Sequence, residues 1–345
     1  MNSLFQNIAL LIVFGIVLSI PLLLIVLANL GEKYQSARYV TIGIMVLIGL
    51  LLIACAPLMA LGAVVTPPDT GTPAPPMMMD PLLAAFMALV LAATGVVSLL
   101  PLIPAVRRVL AHIIPIRPES IVNGVALALA ILVAGFSVAS LPSAFTIAEP
   151  TAETQLALES FNTLPLVWLQ NIFFVLYGFV GVGIALRRPF WEAMGRLGLG
   201  PLTWRRVSIA IGAWLGLLLM DQMVSLVWRT LSPLQYQEFG NLTDALFGSF
   251  ISIPGALTIG LAAGIGEEIL FRGALQPRLG IILTSLLFMI VHAQYGLTPA
   301  LVQIFIVGIV LGLIRKYENT TTTILIHALF NASSVLLALY FPNFP

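Results

Sequence analysis

Residues 260–276 read GLAAGIGEEILFRGALQ, an apolar stretch of membrane-span character that carries Glu267, Glu268 and Arg272 in its interior. Ionisable side chains at membrane depth cost about 2.5 to 3.5 kcal/mol each on insertion scales, so a cluster of them is a functional signal by default. Glu268 and Arg272 stand four apart with the acid nearer the N-terminus, the better orientation for a helical ion pair. Glu267 lies about 100° further round the helix. It is left without an in-helix partner, which suits a general base. A purely structural ion pair is the plainer alternative. Gly260 and Gly264 form a small-xxx-small face that allows another helix to approach closely.

The composition around this stretch excludes an ordinary soluble domain. Of 345 residues, 60% are apolar and 8% charged, against about 25% charged in a typical soluble chain. Mean hydropathy is +1.08. The expected fold is all-α, a polytopic transmembrane bundle. Ten candidate spans run over roughly 8–30, 40–65, 81–106, 120–142, 165–186, 207–228, 251–275, 279–295, 298–314 and 321–340. The net charge of +1, with no Lys/Arg run, leaves no electrostatic footprint for nucleic acid. Cys55 is the single cysteine, so no intrachain disulfide or thiolate cluster can form.

Basic residues alternate from loop to loop. Lys33 and Arg38 fall in the first loop, Arg107, Arg108 and Arg117 in the third, Arg187, Arg188, Arg196, Arg205 and Arg206 in the fifth, Arg278 in the seventh, and Arg315 with Lys316 in the ninth. The even loops hold Asp69 and Asp80, then Glu149, Glu153 and Glu159, then Glu238 and Asp244, with Arg229 at a helix end. Because Lys and Arg are retained on the cytoplasmic side, this pattern implies both termini outside a plasma (inner) membrane. The first segment lacks a positive n-region and is expected to be a retained helix.

The chain divides by polarity into an N-terminal four-helix region, residues 1–160, and a C-terminal six-helix core, residues 161–345. Ionisable groups within spans concentrate in the second part, at Asp221, Glu267, Glu268, Arg272, His292 and His327. TPPDTGTPAPPMMMD (66–80) reads as a Pro-rich external spacer. RRPFWEAMGRLGLGPLTWRR (187–206) reads as an interfacial helix anchored by Phe190, Trp191 and Trp204. Asp221 either lines the site's cavity or is tied to a neighbouring helix, and His112 is interfacial.

Two further spans add FMIVH, with Phe288 and His292, and HALFN, with His327 and Asn331. Each pair is four apart and so on one helical face. Imidazole can orient water, hydrogen-bond a carboxylate or bind a metal, and an Asn amide can hold a developing oxyanion. Together these groups suggest a hydrolytic site. By simple counting, however, Glu267 falls near the inner end of its span and His292 near the outer end of the next. Helix tilt or a break near Pro277 must reconcile them.

Glu267-Glu268-x-x-x-Arg272, Phe288-x-x-x-His292 and His327-x-x-x-Asn331, each on its own apolar helix, resemble the CAAX protease and bacteriocin-processing (CPBP, or Abi) family of intramembrane endopeptidases, in particular type II CAAX prenyl endopeptidases. The resemblance covers about 190–340, including LGL at 197–199, and leaves the first four helices unexplained. It implies hydrolysis of a peptide bond in a membrane-associated peptide or lipidated protein, with the bilayer as the other partner. Glu267 and His292 would activate water, His327 and Asn331 would stabilise the oxyanion, and Glu268, Arg272 and Phe288 would support the site. The favoured mechanism requires no cofactor. A zinc ion on Glu267, His292 and His327 is the open alternative, although the H-E-x-x-H spacing is absent. A non-enzymatic immunity or scaffold protein of the same fold is the main rival. A proton-coupled transporter is a third reading, weakened by the lack of an inverted pair of broken helices.

Overall fold

The computed structural model describes residues 2–64, 80–141 and 163–341. Most of the Pro-rich stretch, the acids Asp69, Glu149, Glu153 and Glu159, and the boundary at 160/161 lie outside the described residues. Among the described residues the chain is helical, with one isolated bridge between Ile184 and Arg188. The helices are α1 (Asn2–Leu30), α2 (Gln35–Val64), α3 (Pro81–Leu99), α4 (Pro104–Leu110), α5 (Ile121–Ser140), α6 (Leu164–Val182), α7 (Phe190–Leu197), α8 (Trp204–Leu231), α9 (Pro233–Phe247), α10 (Ile253–Thr258), α11 (Gly264–Glu267), α12 (Gln276–Ile290), α13 (Pro299–Tyr317) and α14 (Thr320–Tyr340).

Local chemistry sets several of these boundaries. Side-chain oxygens of Asp80, Ser120, Thr203 and Asn319 accept backbone N–H groups in the first turns of α3, α5, α8 and α14, satisfying donors that have no intrahelical partner. Gly198 ends α7 in the left-handed region (φ +67°), where glycine pays no Cβ penalty. The expected interfacial helix is therefore shorter than 187–206. Helix α7 covers only Phe190–Leu197, and Trp204 opens α8 instead. All three proposed anchors, Phe190, Trp191 and Trp204, are exposed.

In the N-terminal half α3 packs between α2 and α5, and α1 leans on α2, α5 and α6. Gly49 and Gly95 bring α2 and α3 together so closely that a Cβ on Gly95 would lie 2.7 Å from the Gly49 carbonyl oxygen. In the C-terminal half α14 packs on α8 and on the path from α10 to Leu275. Small residues permit this approach, as the sequence implies. A Cβ on Gly260 would lie 2.9 Å from the Ala328 carbonyl oxygen, and one on Gly264 would lie 3.0 Å from the Ala328 Cβ. The two halves share a core. Ile114 and Ile116, from the connection before α5, are buried in one cluster with Phe271, Leu279, Leu287 and Phe288.

Nine helical segments among the described residues are long and apolar enough to cross a membrane, where ten spans are expected. The difference lies at 253–290, a continuous helical path containing π-helical stretches at Ile259–Ala263 and Glu268–Leu275. It breaks at Gly280 (φ +76°, ψ 175°). Residue register gives the direction of the two arms. Gly260 and Gly264 face Ala332 and Ala328 on α14, whereas Ile281 and Ser285 face Gly312 and Gly308 on α13. Helices α13 and α14 follow one another through the short link at 318–319. The chain therefore reverses at Gly280 into a hairpin. Residues 281–290 rise only about 15 Å, half a bilayer, so the expected seventh and eighth spans are two arms of one segment and the second does not cross alone.

Candidate active site

The hairpin removes the depth mismatch between Glu267 and His292. Arg272 and Phe288 stand eight residues to either side of Gly280, and the Arg272 guanidinium sits 4.5 Å from the centre of the Phe288 ring. Phe271 meets the same ring edge-on at 5.2 Å. Continuing that register by four residues brings His292 to the height of Glu268. The reversal occurs three residues beyond Pro277, at a glycine whose positive φ most other residues would resist.

Glu268, Arg272 and His327 form the buried centre. Glu268 is fully buried and Arg272 is 1% exposed, with Arg272 Nε 3.6 Å from Glu268 Oε2. The other carboxylate oxygen, Oε1, accepts from His327 Nδ1 at 3.0 Å. His327 thereby has its tautomer and ring orientation set from behind. Its Nε2 faces Glu267, 4.0 Å from Oε2. That Glu267 oxygen has no hydrogen-bond partner among the described residues.

Phe288 is the spacer of the site. Its ring lies 4.8 Å from the His292 ring and 5.9 Å from that of His327. His292 Nδ1 donates to the Phe288 carbonyl at 2.7 Å; a carbonyl only accepts, so neutral His292 keeps Nε2 as its acceptor. Asn331, one turn beyond His327, rests its amide nitrogen 3.4 Å from the Ile259 carbonyl in the first π-helical stretch. All seven residues singled out in the three motifs thus belong to one contiguous region made by the hairpin and α14.

One other feature was hidden from pattern reading. Tyr295 stacks on His292, planes 3° apart and centroids 6.3 Å apart. It also meets Phe239 and Phe247 of α9, and Phe239 in turn meets Trp228. An aromatic row thus runs from α8 to the site. Its only sequence signal is the three-residue spacing from His292 to Tyr295. Separately, LGL at 197–199 fixes the base of α14: Leu197 and Gly198 carbonyls accept from the Thr320 hydroxyl and N–H at 2.5 and 2.9 Å.

Residues outside the cluster have other partners. Asp221 accepts from Gln303 at 2.7 Å and from Gln222 at 3.3 Å, tying α8 to α13. His112 bonds its own turn at the Arg108 carbonyl. Among the described residues no group of three His, Cys, Asp or Glu side chains is gathered in a way that could hold a metal ion. Glu267, His292 and His327 in this arrangement do not fit a three-ligand zinc site.

Residues 249–333, which carry every motif residue, match the family model described as type II CAAX prenyl endopeptidase Rce1-like. That match supports the resemblance of this core to the CPBP family. The chain is also similar to an uncharacterized protein of Bacillus subtilis (strain 168), YpbD, with 31% identity over 119 residues, 34% of this chain and 58% of that protein. The chain thus spans less than two thirds of that relative. No solved structure matches. The CPBP match supports a CAAX-type intramembrane protease as the general class, and the apolar helices make the chain an integral membrane protein.

Proposed function

We propose that the protein is an intramembrane endopeptidase that hydrolyses a peptide bond in a membrane-associated or lipidated peptide or protein. The observation that carries this reading is the Glu268–His327–Glu267 arrangement, an imidazole oriented by one carboxylate and turned toward a second whose Oε2 has no hydrogen-bond partner among the described residues. Binding alone has no need of such a group at membrane depth.

In this reading Glu267 takes a proton from water while His292 Nε2 orients it. The hydroxide attacks the scissile carbonyl carbon, and the oxyanion is held by the Nε2–H of a His327 protonated on both nitrogens, its Nδ1–H staying on Glu268, and by the Asn331 amide. The proton taken up by Glu267 then passes to the leaving amine. Glu268 and Arg272 position His327, and Phe288 keeps the two imidazoles apart. No metal takes part. The protein resides in the plasma membrane with both termini outside, and its substrate comes from the membrane or the cytoplasmic face.

The test compares peptide termini across the membrane proteome of cells expressing wild-type protein or Glu267→Ala at matched levels. Termini that vanish with the substitution support the protease and identify its substrates. A folded Glu267→Ala protein that still cleaves removes the assignment of the base. Identical profiles where the protein is needed favour a non-enzymatic scaffold.

A further inference from the structure

A cavity of about 510 Å³ lies behind the candidate active site, between α1, α5, α6 and the hairpin. That volume is within the range of small-molecule sites, about 300 to 1,000 Å³. None of Glu267, Glu268, Arg272, His292 and His327 lines it. Phe271 is the shared wall, one side on the cavity and its ring edge against Phe288.

The cavity is amphipathic along its length. On α1 its lining extends from Phe14 and Leu18 past the end of the helix to Glu32, about 27 Å at helical rise. That is nearly the hydrocarbon thickness of a bilayer, about 30 Å. The deep part is mainly apolar, with Val133 and Phe174 on the other walls. Near Glu32 it is strongly basic: Arg117, Arg187, Arg188, Arg196 and Arg278 all line it, from four separate stretches of chain.

Little in the protein neutralises this cluster. Glu32 is the one carboxylate in the lining, and its Oε1 accepts from the Ser120 hydroxyl and the Val122 N–H. Arg188 pairs with Glu192. Arg117, Arg187, Arg196 and Arg278 form no ion pair among the described residues; Arg187 donates only to the neutral Asn29 amide oxygen, at 2.7 Å. Loop-charge bias accounts for the sign of these residues, but not for their convergence on one cavity.

We infer that the cavity binds an anionic phospholipid, its phosphate among the arginines and one acyl chain in the apolar shaft. Basic pockets between membrane helices recognise such headgroups, and Arg is suited to bidentate phosphate contacts. The tail sets location more than affinity, because a chain leaving the bilayer exchanges one apolar environment for another. Selectivity therefore resides in the head. This inference goes beyond the protease reading and does not depend on it.

The test titrates dioctanoyl-phosphatidylglycerol, dioctanoyl-phosphatidylcholine or inorganic phosphate into the full-length protein in neutral detergent and follows thermal unfolding. Phosphatidylglycerol should raise the melting temperature saturably, with little effect from the other two. Arg117→Gln with Arg196→Gln removes two exposed, unpaired guanidinium groups, so folding is spared; the midpoint should weaken about 25-fold, about five-fold per arginine. Ala130→Phe, which narrows the shaft, should weaken it as well. Equal responses to the two lipids, an equal response to phosphate alone, or an unchanged midpoint in the arginine variant would each overturn the inference. Displacement by a lipidated peptide with no phospholipid binding would also overturn it. Repeating the titration on Glu267→Ala separates it from the catalytic proposal, since that substitution leaves the cavity intact.

Discussion

Glu268 and His327 are 59 positions apart in the chain and meet in a 3.0 Å hydrogen bond, with Arg272 on the carboxylate's other oxygen. The central pair of the site thus joins the i,i+4 acid of the hairpin to the histidine of α14. Glu268→Gln keeps the shape but leaves the Arg272 guanidinium buried without its counter-charge. Breaking one side of a buried pair costs about 3 to 5 kcal/mol, so thermal unfolding in detergent should show a large loss of stability together with loss of cleavage. Glu268→Leu with Arg272→Met should recover most of that stability and none of the activity. Cleavage by the apolar double variant would remove the positioning role of Glu268.

Asn331 makes only a 3.4 Å contact to the Ile259 carbonyl, so Asn331→Ala gives up little of the fold. As an oxyanion donor its removal should lower kcat about 10² to 10³-fold, with KM nearly unchanged. A change confined to KM would instead make Asn331 a substrate-binding group.

Gly264 faces the backbone nitrogen and Cβ of Ala328, each 3.0 Å from where its own Cβ would stand. Gly264→Val forces α14 outward and carries His327 with it. Overpacking of this kind costs about 1 to 3 kcal/mol, and cleavage should fall further than stability alone explains. Gly264→Ala is the graded control, since it asks the neighbour to yield by only a few tenths of an ångström. Unimpaired cleavage in a folded Gly264→Val protein would mean that the α14 spacing is not critical.

Gly280 presents the opposite case. Nothing lies within 4 Å of a Cβ added there, yet its φ is +76°. Gly280→Ala therefore meets a conformational cost alone, about 1 to 3 kcal/mol, because φ +76° with ψ 175° is a region populated essentially by glycine. Stability should drop by about that amount while kcat in the folded protein stays close to wild type. A collapse of kcat at unchanged secondary structure would show that the turn tunes the hairpin register as well as allowing it.

Much of this arrangement was legible from residue spacing. Charges inside an apolar run, the Gly260/Gly264 face and the two i,i+4 pairs pointed to the residues that the fold gathers. What stayed hidden lies between helices. The reversal itself is expected, between a seventh and an eighth span with Arg278 in the loop, but an apolar run contains no mark that the arm after Gly280 stops about half-way across a bilayer. The Glu268–His327 bond was hidden for the same reason: sequence supplied Arg272 as a sufficient partner, while the second oxygen found its donor on another helix. Tyr295 carried no polar signal and entered through ring stacking alone.

Both histidines have their Nδ1 engaged, His292 on the Phe288 carbonyl and His327 on Glu268. Each can offer only Nε2 to a metal, and with Glu267 they do not converge as a three-ligand set among the described residues. A catalytic zinc site needs three protein ligands about 2.0 to 2.2 Å from the ion, so loading one would require the three side chains to draw together. The expected result is less than 0.1 zinc per chain, on the order of a contaminant rather than the near-stoichiometric loading of a closed ligand set, and cleavage unchanged by a strong chelator. Elemental analysis of purified protein, paired with an activity assay before and after chelation, checks both. Near-stoichiometric zinc whose removal abolishes cleavage, with recovery on adding zinc back, would establish the metal mechanism in place of the carboxylate one.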